Sequence, residues 1–371
     1  ITESAGMIFG HSRPTGAQWA RDLISMNKDM KKAFISSVGA AMLCVTATVQ
    51  GGELAGSAPF QFRYAADLSE LPAEVAPKVP GAHGGFAVDN KTGEVFFGLK
   101  GAGIIWMSND LTEKKVLPVT EPMILEGNFH NTTILYRGDG ERFIALPDNE
   151  KHRVYIISDE GKLASVLNSP LDLNDYYGGG GAFNPTDTEY ANGKLYVADG
   201  YSAGNFISIA DPWTASWTDE YFGGKASGAR EYGLFGTAHG ITLEPHTKRL
   251  AIADRANSRI QDFDFHGTFL ENVNLPAGSL PCDIDFHQSF VLVGCLRGPK
   301  GYTSAPCYVV DKDGNLLSEV NPKKDFGLEL FTHIHNAAWK PVYGENGKVE
   351  KLYALATAWN PGGFAVMEVV R

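Results

Sequence analysis

Cysteine is scarce in this chain of 371 residues: there are four, and none sits in a Cys-x-x-Cys pair. A thiolate zinc site is therefore disfavoured. Basic runs are absent too, since Lys and Arg never extend beyond adjacent pairs and the formal net charge is −11. Gripping nucleic-acid phosphates needs a basic footprint, so nucleic acid is excluded as an expected partner. Apolar runs are nearly absent. The exception, 33–49, contains Ser, Thr and Gly and makes a poor membrane-spanning helix. Charged residues are only 20% of the chain, which argues against a coiled coil, and 43% hydrophobic content excludes a disordered one. Glycine is what the chain has in plenty, 42 residues, together with 11% aromatics. That mix points to β-structure with many turns.

The apolar run follows Met30, Lys31 and Lys32. A short charged segment and then small and hydrophobic residues reads as a secretory signal peptide, with cleavage between about Ala47 and Ala55. The expected organisation is an upstream segment at 1–29, a leader at 30–55 and the folded domain at 56–371. Export would place the protein in the periplasm or outside the cell, where disulfides form. Cys282, Cys295 and Cys307 remain after processing. Cys282 with Cys295, or Cys295 with Cys307, could face each other across a hairpin, and one disulfide with one free thiol is the expected outcome.

From residue 80 a pattern recurs six times at intervals of 43–56 residues. Each repeat opens on a polar residue, continues into an alternating strand, turns, and runs into an aliphatic strand. The second strands read as 94–99, 142–146, 194–198, 249–253, 290–294 and 351–356. Asp148, Asp199 and Asp254 follow three of them. Six such units over about 310 residues predict an all-β protein, one six-bladed β-propeller with a central channel. A closed propeller leaves few edges, so a monomer is expected.

Equivalent residues of a propeller converge on its axis. The opening position holds His83, His130, Thr186, His239, Cys282 and His335: four of the chain's ten histidines at one repeat-equivalent place. Convergent neutral imidazoles with an open position are what a borderline-soft divalent ion needs. His333 is expected in the loop entering the last repeat, Arg259 in a structural pairing between blades, and the run Tyr176 to Gly181 in a flexible loop between blades two and three.

Two stretches carry a family likeness. Phe183-Asn184-Pro185-Thr186-Asp187 with Leu195-Tyr196-Val197-Ala198-Asp199-Gly200-Tyr201 is one. Ala238-His239-Gly240-Ile241 with Ala253-Asp254-Arg255-Ala256-Asn257-Ser258-Arg259-Ile260-Gln261 is the other. They resemble peptidyl-α-hydroxyglycine α-amidating lyase, the lyase half of the peptide-amidating enzyme, within the wider NHL-repeat propellers. The resemblance spans blades two to six. It implies a catalytic zinc on His130, His239 and His335, Tyr201 as the base, and Arg255 as a substrate-binding, charge-stabilising group. A second family arginine has Lys100 as its nearest counterpart, a point charge without the bidentate fork. A structural calcium is also implied, although Asn336 stands where the family has Asp. Ser202, Ala251 and Asp262 replace family cysteines, so neither family disulfide can form.

The chemistry implied is lysis of a carbinolamide in a small-molecule or peptide substrate. Tyr201, with a usual pKa near 10, needs a cation beside it to serve as a base. His83 is an addition that offers a fourth nitrogen. A ring of His83, His130, His239 and His335 is also the ligand set of propeller oxygenases with non-haem iron. The same repeat pattern also fits a metal-dependent hydrolase or a non-enzymatic NHL-type binding module.

Overall fold

The computed structural model describes residues 53–228 and 230–370. The upstream segment and nearly all of the expected leader lie outside them. Among the described residues no helix is long and apolar enough to cross a membrane.

Six antiparallel sheets follow one another along the chain. Blade one is Phe86–Val88, Val95–Leu99, Gly103–Met107 and Lys114–Val116, and blade two Thr133–Tyr136, Arg142–Asp148, Arg153–Ser158 and Leu163–Leu167. Blade three is Asp187–Ala191, Lys194–Ala198, Phe206–Asp211 and Ser216–Gly223. Blade four is Ala238–Glu244, Arg249–Asp254, Arg259–Phe263 and Phe269–Asn274, and blade five Leu280–His287, Phe290–Arg297, Cys307–Asp311 and Leu316–Val320. Blade six has five strands: Asn336–Tyr343, Val349–Ala358 and Gly363–Val370, then Phe60–Tyr64 and Ala55–Ser57 from the earlier part of the chain. The innermost strands touch in cyclic order, the sixth meeting the first, so the ring is closed. The fold is the expected six-bladed propeller, and all six second strands lie where the sequence pattern puts them.

Those second strands are apolar on both faces because each feeds two interfaces. Phe96 packs toward blade two and its neighbour Phe97 toward blade six. Leu195 and Val197 face blade two, whereas Tyr196 and Ala198 face blade four. Six apolar layers result, one between each pair of blades, and each fully buried Leu, Ile, Val or Phe contributes about 1.5–3 kcal/mol.

Carboxylates staple the innermost strands nearer the axis. Asp187 and Glu189 of blade three accept the backbone N–H groups of Ile241 and Leu243 in blade four, at 2.8 and 3.0 Å. Asp283 and Asp285 of blade five accept those of Ala337 and Trp339 in blade six, at 3.0 and 2.7 Å. Burial pushes Glu189, Asp283 and Asp285 up to about 7, and Asp187 well above the carboxylate range.

The disulfide expectation is overturned: Cys282, Cys295 and Cys307 are all buried and unpaired. Strand register pairs Cys295 with Pro281 and Cys307 with Gly294, and a bulge takes Cys282 out of step. Cys295 faces blade four and Cys307 faces blade six, on opposite sides of the same sheet. Neither hairpin brings two sulfurs together.

Two smaller expectations shift as well. Arg259 is structural, but it binds within its own blade and the loop before it: Nε donates to Asp254 at 2.7 Å and Nη2 to the Glu231 and Leu234 carbonyls. The Tyr176–Gly181 run begins in a helical turn, Asp175–Gly178, whose Tyr177 is buried and donates its hydroxyl to Asp199 at 2.6 Å.

Candidate metal centre

Five of the six opening residues cluster, whereas the Thr186 hydroxyl bonds the Ala198 and Ala238 carbonyls. Ring centroids of His83 lie 4.2 Å from those of both His130 and His335, and His130 lies 4.6 Å from His239. His239 and His335 are 5.2 Å apart. All four imidazoles are buried. Two overlapping groups have their ligand atoms within 4.8 Å of one another: His83, His130 and His335, and His239, Cys282 and His335.

Local backbone design aims these side chains. In blades two, three and six the opening residue precedes the first strand proper, and its N–H bonds the end of the second strand: His130 to Pro147, Thr186 to Ala198, His335 to Thr357. In blades four and five the same position is a β-bulge. The register slips between Ala238 and Ile241, and between Pro281 and Asp283, turning His239 and Cys282 to the axis.

Each imidazole has one nitrogen anchored. His130 Nδ1 bonds the carbonyl of Thr186, and His239 Nδ1 that of Cys282 at 2.7 Å, so each of these two leans on the next blade. His335 Nδ1 pairs with Asn336 Oδ1 at 3.1 Å, and His83 Nδ1 with Asn128 Oδ1 at 3.3 Å. An oxygen of this kind only accepts, so Nδ1 carries the proton and Nε2 keeps its lone pair. The Nε2 atoms of His130 and His335 are buried with no hydrogen-bond partner. Burial holds all four imidazoles well below the usual histidine range, which keeps them neutral and ligand-competent. Orphaned, desolvated lone pairs in these two overlapping groups fit a divalent ion, although neither group unites His130 with His239.

Tyr201 and Arg255 stand beside the ring. Both project from turns held by a strand-ending Asp. Asp199 accepts the Asn184 N–H at 2.6 Å, and Asp254 accepts the Gly236 N–H at 2.8 Å. The recurring Asp is thus a loop anchor. Gly200 lets the first turn close on blade four, because a Cβ there would sit 2.0 Å from the Ala238 carbonyl oxygen. Tyr201 OH then lies 3.0 Å from His239 Nε2 and accepts from Arg255 Nη1 at 3.1 Å. Arg255 has Tyr201 and Cys282 as its partners. Burial raises the Tyr201 pKa, and Arg255 opposes that rise.

The chain resembles the peptide-amidating enzymes. It is 27% identical over 209 residues to peptidylglycine alpha-amidating monooxygenase of Rattus norvegicus, covering 50% of this chain and 21% of that protein. It is 26% identical over 235 residues to the Mus musculus protein, covering 56% and 23%. It spans less than a quarter of the length of these relatives. No family model matches. Among solved structures a gluconolactonase from Xanthomonas campestris shares the fold, with TM-score 0.51, 12% identity, and 86% and 98% of the two chains covered. A virginiamycin B lyase from Staphylococcus aureus has TM-score 0.49, 13% identity, and 78% and 96% coverage.

Lys100 stands apart from the ring. It is exposed and pairs with Glu150 at 2.8 Å. Glu150 in turn accepts from Asn128 at 3.0 Å, and Asn128 holds His83, so Lys100 reaches the centre as the last link of a polar chain. Asn336 spends its Oδ1 on His335 and on the Thr357 hydroxyl, leaving that oxygen engaged rather than free for calcium. His333 lies in the entering loop, as expected. Sequence reading missed Asn128 and Trp359, whose ring stacks on His83 at 4.7 Å. Asn128 lies two residues before His130 and Trp359 directly after the second strand of blade six, places where the residue type changes from blade to blade, so no recurring residue signals them.

Proposed function

We propose that this chain is a secreted, metal-dependent carbon–nitrogen lyase that cleaves a carbinolamide in a small-molecule or peptide substrate, working as a monomer. The observation that carries this reading is the pair of orphaned Nε2 atoms on His130 and His335, with His239, Tyr201 and Arg255 against them. His130, His239 and His335 would hold the ion, zinc by preference for this nitrogen-rich set. When bound, the ion supplies Lewis-acid polarisation of the substrate hydroxyl.

The chain's own residues carry the proton. Tyr201 would act as the phenolate, its ionisation favoured by Arg255 and the bound cation against the opposing burial. Its Oη takes the proton from the carbinolamide hydroxyl; the C=O bond forms as the C–N bond breaks, and the electron pair moves to nitrogen. Tyr201 returns the proton to that nitrogen, releasing an amide and an aldehyde. Arg255, 3.1 Å from the phenol oxygen, stabilises it while it is charged. Lys100, held by Glu150, adds positive potential on the His83 side.

The His83, His130 and His335 group supports a second reading, a four-imidazole iron centre with redox chemistry. Metal analysis of residues 56–371 separates the two. About one zinc per chain, lost in His335→Ala and kept in His83→Ala, with cleavage of an N-acyl α-hydroxyglycine, is the expected result. Iron that depends on His83 overturns the lyase in favour of an oxygenase. Absence of any bound metal overturns both.

A further inference from the structure

The second ligand group contains a sulfur that the family likeness does not call for. We propose that the ion is also bound by the Cys282 thiolate, together with His239 and His335, so that the centre is a mixed nitrogen–sulfur site. This rests on the metal reading above and adds a ligand to it.

Four observations converge. Cys282 occupies the ring position of blade five, where a bulge leaves it without a cross-strand partner and turns its side chain to the axis. Its sulfur, an imidazole nitrogen of His239 and one of His335 all lie within 4.8 Å of one another, close enough for one ion to draw them in. His335 Nε2, in a residue 1% exposed, has no hydrogen-bond partner and belongs to this group. Arg255 Nη1 lies 4.0 Å from the sulfur, a cation placed to offset a thiolate's charge.

The same residue also positions the ligand beside it. The Cys282 carbonyl accepts from His239 Nδ1 at 2.7 Å, which commits the other nitrogen of His239 to the centre. That carbonyl approaches Gly240 so closely that a Cβ there would meet it at 2.7 Å. One bulged residue therefore offers a sulfur to the ion and fixes the tautomer of a neighbouring imidazole. Neither Cys295 nor Cys307 shares this placement, since both are packed between blades.

A thiolate changes which ions the ring prefers. Soft sulfur favours zinc and cadmium over manganese and magnesium, whereas three imidazoles alone discriminate less. Three imidazoles and one thiolate would make four protein ligands, so substrate would enter by expansion to a fifth position, as catalytic zinc sites allow.

X-ray absorption of the wild-type protein loaded with zinc alone tests this. The expected spectrum has one sulfur at about 2.3 Å beside nitrogens at about 2.0–2.1 Å. Cys282→Ser should lose the sulfur shell while keeping zinc, and Cys295→Ser should retain it. If zinc binds at one per chain with only nitrogen and oxygen neighbours, the sulfur ligand is refuted and the imidazole centre stands. If zinc does not bind, both fail. The wild-type spectrum decides the matter even if Cys282→Ser does not fold.

Discussion

Replacing Gly200 with alanine puts the coupling between the Tyr201 turn and the metal ring under direct strain. The added Cβ would lie 2.0 Å from the Ala238 oxygen and 2.7 Å from its carbonyl carbon. Ala238 has little room to retreat: it is fully buried, its carbonyl accepts from the Thr186 hydroxyl at 2.8 Å, and its N–H donates to Asn205 at 3.1 Å. Contacts of a real Cβ do not fall below 3.0 Å, so the turn must move away from blade four by about 1 Å. The 3.0 Å contact between Tyr201 and His239 would then open beyond hydrogen-bond range. A displacement of that size at a reacting group costs roughly 100-fold in turnover. Overpacking costs about 1–3 kcal/mol, which lowers the melting temperature by several degrees. The metal ligands themselves are untouched, so zinc content stays at the wild-type value. Turnover on an N-acyl α-hydroxyglycine, thermal melting and metal analysis are run on the same preparation. Wild-type turnover and melting in Gly200→Ala would refute the argument that this contact seats the base.

Asn336→Leu removes the oxygen that anchors His335 Nδ1 and should weaken zinc binding about 10–100-fold in a chelator competition, with the fold retained. The stability of Glu189→Gln relative to wild type should rise with pH. The folded-state pKa of Glu189 is raised to about 7 by burial, so its contribution is fully present below the unfolded value and is lost as pH climbs from about 4.5 through 7. Denaturant titrations at pH 5 and pH 8 check this, and an equal difference at both would contradict it. Unfolding the 56–371 domain without reductant should expose Cys282, Cys295 and Cys307 as three titratable thiols, and a disulfide-linked peptide in a digest would contradict the packing described.

Much of this architecture is written in spacing. The second strands are legible because both of their faces are buried, so they read as short runs of aliphatic and aromatic residues such as Leu195 to Ala198. The ring is legible because repetition places His83, His130, His239 and His335 at one position. What spacing cannot convey is backbone irregularity. The bulge at Cys282 shifts one residue out of register and thereby cancels a plausible hairpin disulfide while delivering a sulfur to the axis. Asn128, Glu150 and Trp359 support His83 from repeat positions whose residue type changes from blade to blade, so their role comes only from tertiary placement. The propensity of Tyr176 to Gly181 to read as loose chain was overridden locally by one buried hydroxyl, that of Tyr177 on Asp199.

The latch in blade six ties assembly of the centre to closure of the whole ring. Gln61 to Tyr64 pair with Met367 to Val370, an early strand of the domain with its latest. His335 is on blade six, which that seam completes, and His83 at the entry to blade one, whose inner strand touches that of blade six. A nascent or C-terminally clipped chain holds most of its blades but leaves this seam open, so the two imidazoles have no fixed separation. Under the proposed three-histidine centre, His335 of the last blade must meet His130 and His239 of earlier ones, so retention of the ion would report that the ring has closed.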